Sequence, residues 1–274
     1  MPDVKPQPRL STPSLPGACF AEFVGTALLI LFGVGAVAGM QLSGASFGQW
    51  EISLTWGLGV ALAVYVVAGV SGAHLNPAVT LALTVWAGFD RRRALPYVAA
   101  QMAGAFCAAA LVFALYEPLL ANWEYTQHLV RGSAESLRSA AIFTTFPHPQ
   151  LSNLQALLVE TVITAVLMTG ILALTDHRNG PARGFAGALL IGLLVAVIGA
   201  SFGPLTGFAM NPARDLAPRV FLTLAGWGDV ALTGGRDSAY WWVPVAGPLL
   251  GAQLGALLYL KLIARHLPRP LQEA

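Results

Sequence analysis

The sequence predicts an all-α membrane protein in which six transmembrane helices and two re-entrant half-helices form an inverted repeat. Three observations predict it. Only 10% of the 274 residues are charged while 56% are hydrophobic, and the mean hydropathy is +0.66. A soluble domain carries about 25% charged residues. Six stretches of roughly 20 residues are nearly free of charge, long enough to cross a hydrocarbon core of about 30 Å. The tripeptide Asn-Pro-Ala occurs twice, at 76–78 and 211–213, each time opening an apolar piece too short to span.

The long segments run over 17–40, 52–70, 94–116, 153–175, 184–200 and 240–263. The short pieces cover 77–88 and 212–225, the length of half a crossing. Asn before a helix and Pro just inside it are start signals, so Asn76, Pro77, Ala78 and Asn211, Pro212, Ala213 each begin a half-helix. Glu22 lies in the first long segment, 54 residues before Asn76, and Glu160 in the fourth, 51 residues before Asn211. The order span, span, half-helix, span therefore occurs twice. Three crossings per copy is an odd number, so the second copy enters the membrane from the opposite side.

This divides the chain into a cytoplasmic tail (1–16), a first repeat (17–116), an extracytoplasmic linking loop (117–152), a second repeat (153–267) and a second cytoplasmic tail (268–274). The Pro-rich start lacks the apolar core and small-residue cleavage site of a signal peptide. With both termini inside, ten Lys and Arg face the cytoplasm (Lys5, Arg9, Arg91, Arg92, Arg93, Arg178, Arg183, Lys261, Arg265, Arg269) and three face out (Arg131, Arg138, Arg236). That is the positive-inside bias. A net charge of +2 gives no reason to expect nucleic acid as a partner. Cys19 and Cys107 fall in apolar surroundings and read as buried thiols, not as a disulfide or metal pair. Gly247, Gly251 and Gly255 repeat every fourth residue, matched in the third span by Gly104 and Ala108. Such stripes let helix backbones touch, and here they are expected to join the two halves.

The topology brings Asn76 and Asn211 face to face at mid-membrane, each at a helix N-terminus carrying about half a positive charge. Such a centre repels cations and protons. The Gly-rich stretches 71–75 and 201–210 read as non-helical, which is tolerated at that depth only in protein or against a watery cavity. A pore is thus expected, lined by the carbonyls of Gly72, Ala73, His74 and Leu75 and of Gly207, Phe208, Ala209 and Met210. Glu22 and Glu160, each beside one loop, read as acceptors for its N–H groups in preference to a proton relay. Arg214, three residues past Asn211, is expected to meet Trp56 and Gly199 at the outer mouth. There a cation, an aromatic wall and a missing side chain would form an amphipathic slot. The alternative for Arg214 is an ion pair with Asp215. His74 has no nucleophile or metal-spaced partner at its depth and reads as a loop-orienting group, so no enzyme is expected. A coupled transporter would need a titratable site that loop bracing already explains. No cofactor and no metal are expected.

Residues 71–80, Ser-Gly-Ala-His-Leu-Asn-Pro-Ala-Val-Thr, and 207–215, Gly-Phe-Ala-Met-Asn-Pro-Ala-Arg-Asp, resemble the major intrinsic proteins, the aquaporins and aquaglyceroporins. The resemblance covers about 17–267. Through 45–53 and 199–207 it is strongest to the bacterial glycerol facilitators. It implies an aquaporin-like fold, a homotetramer with one pore per subunit in the bacterial inner membrane, and passive flow of glycerol, related small neutral solutes and some water. It also implies a selectivity filter of Trp56, Phe208 and Arg214 with Gly199 leaving space, where water-selective members typically carry His. Asp215 and the pair Pro244-Val245 resemble the glycerol-conducting branch. Arg219 stands where some of that branch have Lys. Trp50 and Glu51 match a segment near the family's four-fold axis and read as surface-loop residues.

Overall fold

The computed structural model describes residues 13–179 and 185–268. Lys5, Arg9, Arg183 and Arg269, used above for orientation, lie outside the described residues, as does most of both tails. The described residues form helices and connecting turns. In chain order these are α1 (Leu15–Ser43), α2 (Gln49–Ser71), α3 (Pro77–Trp86), α4 (Arg91–Thr126), α5 (Leu137–Ala140), α6 (Asn153–Thr175), α7 (Phe185–Thr206), α8 (Pro212–Leu222), α9 (Val230–Thr233) and α10 (Val243–Leu257). Wider turns carry α10 on to Ile263. Six of the helices are long and apolar enough to cross a membrane, and α3 and α8 are the short pair. The protein is a multi-pass membrane protein.

Local chemistry sets the ends. Ser14 caps α1 by accepting from the Gly17 N–H, and Gly44 closes the helix with φ +73°. Asp90 caps α4 by accepting from the Arg92 N–H at 2.9 Å. Ser152 and Gln155 form a capping box on α6. Glu51 accepts from the Gly48 N–H at 2.9 Å in the first turn of α2. Glu51 and Trp50 are therefore helical, not loop residues, with Trp50 exposed.

The outer faces are apolar and the interior holds the polar groups. Leu58, Leu62 and Val66 on α2, and Leu154, Leu158, Val162 and Val166 on α6, are exposed rows at helical spacing. Glu22, Gln101, Thr80, Glu160 and Asp215 are fully buried. That inversion suits a lipid solvent, in which outward apolar side chains cost nothing and polar groups must find partners inside.

Packing corrects three expectations. The small-residue stripes join helices within each half. A methyl carbon placed on Gly104 would lie 2.2 Å from the Phe23 carbonyl oxygen of α1, and one on Gly251 would lie 2.2 Å from the Thr161 carbonyl oxygen of α6. The halves instead meet where α2 crosses α7, at Gly57 and Gly192, whose backbones are in mutual close approach. They also interlock, since α3 packs on α10 and α8 on α4. Second, α4 continues to Thr126, so 117–126 is helix and the link starts later. Third, Cys107 is exposed on α4 and Cys19 is half-buried; both are free thiols.

Candidate pore and selectivity site

The two half-helices start at the same place from opposite sides, and their asparagines stitch them together. Asn76 accepts from the Ala78 N–H at 2.8 Å through Oδ1 and so caps its own helix. Its Nδ2 donates to the Met210 carbonyl of the other half at 2.9 Å. Asn211 does the same in reverse: Oδ1 accepts from Ala213 N at 2.9 Å, and Nδ2 donates to the Leu75 carbonyl at 2.8 Å. An amide nitrogen carries two hydrogens. One is spent on the cross-link, and the second remains for whatever passes. Pro77 and Pro212 fill the first helical position, where their missing N–H costs nothing.

The loops before them are held in strained backbone. Ala73, Leu75, Phe208 and Met210 all have φ between +42° and +54°. Side chains rarely adopt that region, and it persists only where the surroundings impose it. Here two carboxylates impose it. Glu22 accepts from the His74 N–H at 2.9 Å and the Leu75 N–H at 2.7 Å. Glu160 accepts from the Ala209 N–H at 3.0 Å and the Met210 N–H at 2.9 Å. The side chains of Gln101 and Thr206 add one donor to each acid. Both acids are 0% exposed, and these hydrogen bonds come from loop N–H groups and neutral side chains. Only 201–206 departs from the expected irregular stretch: it is the last part of α7.

A cavity of about 870 Å³ runs past these groups. Its lining includes Gly72, Ala73, His74 and Leu75 from one loop and Phe208, Ala209 and Met210 from the other, with Asn76 and Asn211 between them. Gly207, expected among the lining residues, is not part of it; its backbone packs against Thr145. His74 sits 3.1 Å through Nδ1 from the Thr80 hydroxyl, meets Phe89 edge to face and packs at a tilt against Tyr97.

One end of the cavity carries Trp56, Phe208 and Arg214, all nearly buried. The Arg214 guanidinium lies 4.1 Å over the Trp56 ring, and Trp56 meets Phe208 edge to face at 6.4 Å. Arg214 also donates to the Phe143 carbonyl at 3.4 Å. Gly199 does not line the cavity itself. A methyl carbon there would lie 2.8 Å from the Phe208 ring, so the glycine leaves the space that this ring occupies. The other end carries Thr175, Asp176 and His177. Hydrogen bonds from Arg178 hold the Asp176 carboxyl well below the usual carboxylate range.

Asp215 takes no part in the cavity and pairs with Arg219, not Arg214, at 2.8 Å. Its second oxygen accepts from the Thr144 hydroxyl at 2.8 Å and the Thr145 N–H at 2.8 Å. The buried pair thus fastens the linking segment over α8, one turn from Arg214. Sequence reading missed Arg219, Thr144, Thr145 and Gln101 as parts of this scaffold. The four-residue step from Asp215 to Arg219 was a usable signal; the distant threonines gave none.

Six spans enclosing a cavity pinched between two half-helix starts define a membrane channel. Residues 9–259 match the major intrinsic protein family, and the chain belongs to that family. It is 63% identical over 257 residues to the glycerol uptake facilitator protein of Escherichia coli strain K12, covering 94% of this chain and 92% of that one. The Pseudomonas aeruginosa glycerol uptake facilitator protein is 61% identical over 257 residues, with the same coverage. A propanediol uptake facilitator of Citrobacter freundii is 56% identical over 255 residues, covering 93% of this chain and 95% of its own. The X-ray structure of the aquaglyceroporin from Plasmodium falciparum superposes with a TM-score of 0.82 at 32% identity, covering 92% of this chain and 98% of that chain.

Proposed function

We propose that this chain is a passive channel for glycerol and similar small neutral polyols, with some water, and that it excludes ions and protons. The observation that carries the reading is the amphipathic pinch: two aromatic rings at right angles, Trp56 and Phe208, beside the Arg214 guanidinium. A polyol has one carbon edge and one hydroxyl edge. The carbon edge slides on the rings, while the hydroxyls accept from Arg214 and donate to exposed loop carbonyls. At the centre, the spare Nδ2 hydrogens of Asn76 and Asn211 take a passing oxygen. The ordered donors and acceptors replace hydration without demanding charge on the solute. The similarity to the glycerol uptake facilitators above favours the same solute, and the propanediol relative favours a diol as a second one.

On this reading Trp56, Gly199, Phe208 and Arg214 form the filter, and Asp215 with Arg219 anchors it from behind. The protein sits in a bacterial inner membrane with both termini cytoplasmic, as a homotetramer with one pore per subunit. The repeats 17–116 and 153–267 act as its inverted halves. The test is stopped-flow light scattering on proteoliposomes. Under a glycerol gradient, vesicles should shrink and then reswell quickly, in proportion to the gradient and with no need of an ion gradient. Fast water flow without the glycerol reswelling phase would overturn the reading in favour of a water channel. Uptake that saturates and requires an ion gradient would overturn it in favour of a transporter.

A further inference from the structure

The filter's aromatic wall rests on a residue outside the filter. Trp56 lines the cavity from α2, and behind it stands Gly33 of α1. A methyl carbon on Gly33 would lie 2.3 Å from Cδ2, 2.3 Å from Cε3 and 2.4 Å from Cε2 of the indole. Cδ2 is bonded to three ring atoms, so a point equally close to it and both neighbours stands over the ring face. The Trp56 ring therefore lies flat on the bare backbone of α1. The same ring holds the Arg214 guanidinium at 4.1 Å, so its position also fixes where the filter's charge stands.

We infer that Gly33 is a specificity-determining residue: its missing side chain sets how far the Trp56 ring protrudes into the cavity, and with it the width of the filter. This rests on the glycerol-channel reading above. Carbon contacts settle at about 3.5–4.0 Å, so any side chain at 33 pushes the ring off α1 by about 1 Å or more. Helix backbone on one side cannot yield, and on its other sides the ring meets Phe208, Arg214 and the cavity among its neighbours. Gly199 stands in the same relation to Phe208, so both aromatic walls have glycine behind them.

The test compares Gly33→Ala with Gly170→Ala in proteoliposomes. Gly170 is an equally tight helical glycine, but its neighbour is the Leu194 methyl end, 2.2 Å from the added carbon and outside the cavity lining. Gly33→Ala should lower glycerol permeability about tenfold, because the displaced ring raises the barrier at the pinch for the larger solute, with a much smaller loss for water. Gly170→Ala should leave the glycerol-to-water ratio at its original value. An unchanged ratio in Gly33→Ala, or equal losses of both fluxes, would overturn the inference. If Gly33→Ala does not fold, Gly33→Ala/Trp56→Phe, with a smaller ring, should restore a folded channel; failure to restore it also counts against the inference. The unsubstituted channel's own glycerol flux tests the underlying reading separately.

Discussion

At the residue scale, the channel depends on what is missing as much as on what is present. Gly199 is the clearest case. Its position in the sequence suggested an open space facing the solute, whereas the structure gives that space to Phe208, 2.8 Å from where a side chain would begin. A side chain at 199 acts on the pore by moving Phe208. Gly199→His should therefore reduce glycerol flux more than water flux in the stopped-flow assay, because the displaced ring narrows the passage for the larger solute first. Equal losses would mean that the site does not set width. The residues legible in the sequence were those announced by a motif: both asparagines, both loop acids and Arg214 all lie where the repeat places them. What escaped was chemistry between distant segments. Nothing in the sequence near 144–145 announces that two threonines there hold Asp215.

At the element scale, each loop is a short strained segment whose free N–H groups need a buried acceptor. Glu22 and Glu160 supply it from equivalent positions in α1 and α6. Glu160→Ala leaves the Ala209 and Met210 N–H groups without their acceptor, at about 1–3 kcal/mol each. Its thermal unfolding midpoint in detergent should fall markedly, together with glycerol flux, and Glu22→Ala should behave alike. An unchanged midpoint in either would remove the acid's bracing role. Helix contacts obey the same arithmetic. Gly251→Ala puts a methyl carbon 2.2 Å from the Thr161 carbonyl oxygen, which is backbone and cannot step aside. Gly69 has open space around it. Gly251→Ala should therefore lower the unfolding midpoint, while Gly69→Ala should hold or raise it, since alanine favours helix by roughly 0.5–1 kcal/mol. The glycine spacing was plain in the sequence, but its partner was not. A stripe states that some backbone comes close, and only the fold says that α6, not the other half, is that backbone. Helix ends were blurred for a related reason: 201–206 contains Gly203 and Pro204 yet stays helical as the end of α7, because tertiary packing overrides local preference.

At the scale of the whole molecule, a symmetric fold encloses an asymmetric pore. Asn76 and Asn211 are related by an offset of 135 residues. Applied to the filter, that offset pairs Trp56 with Ile191, Phe208 with Ala73, Arg214 with Val79 and Gly199 with Val64. All four counterparts are aliphatic and line the cavity. The pinch thus stands at one end of the cavity only, with Trp56 from the first half and Gly199, Phe208 and Arg214 from the second, while the central positive field is built equally by both. Each half-helix start contributes about half a positive charge, and the acids behind the loops bind loop donors and do not line the cavity. This separates two properties that Arg214 could otherwise seem to own together. Arg214→Val gives the filter the residue its counterpart already carries, so the half-helix should accommodate it. Discrimination should then weaken, with polyols longer than glycerol passing faster relative to glycerol in the light-scattering assay. Ion exclusion should survive, because both helix starts remain aimed at the centre. Planar-bilayer recordings of Arg214→Val should stay at background conductance in salt. A cation current would show instead that exclusion belongs to Arg214 and not to the paired half-helices.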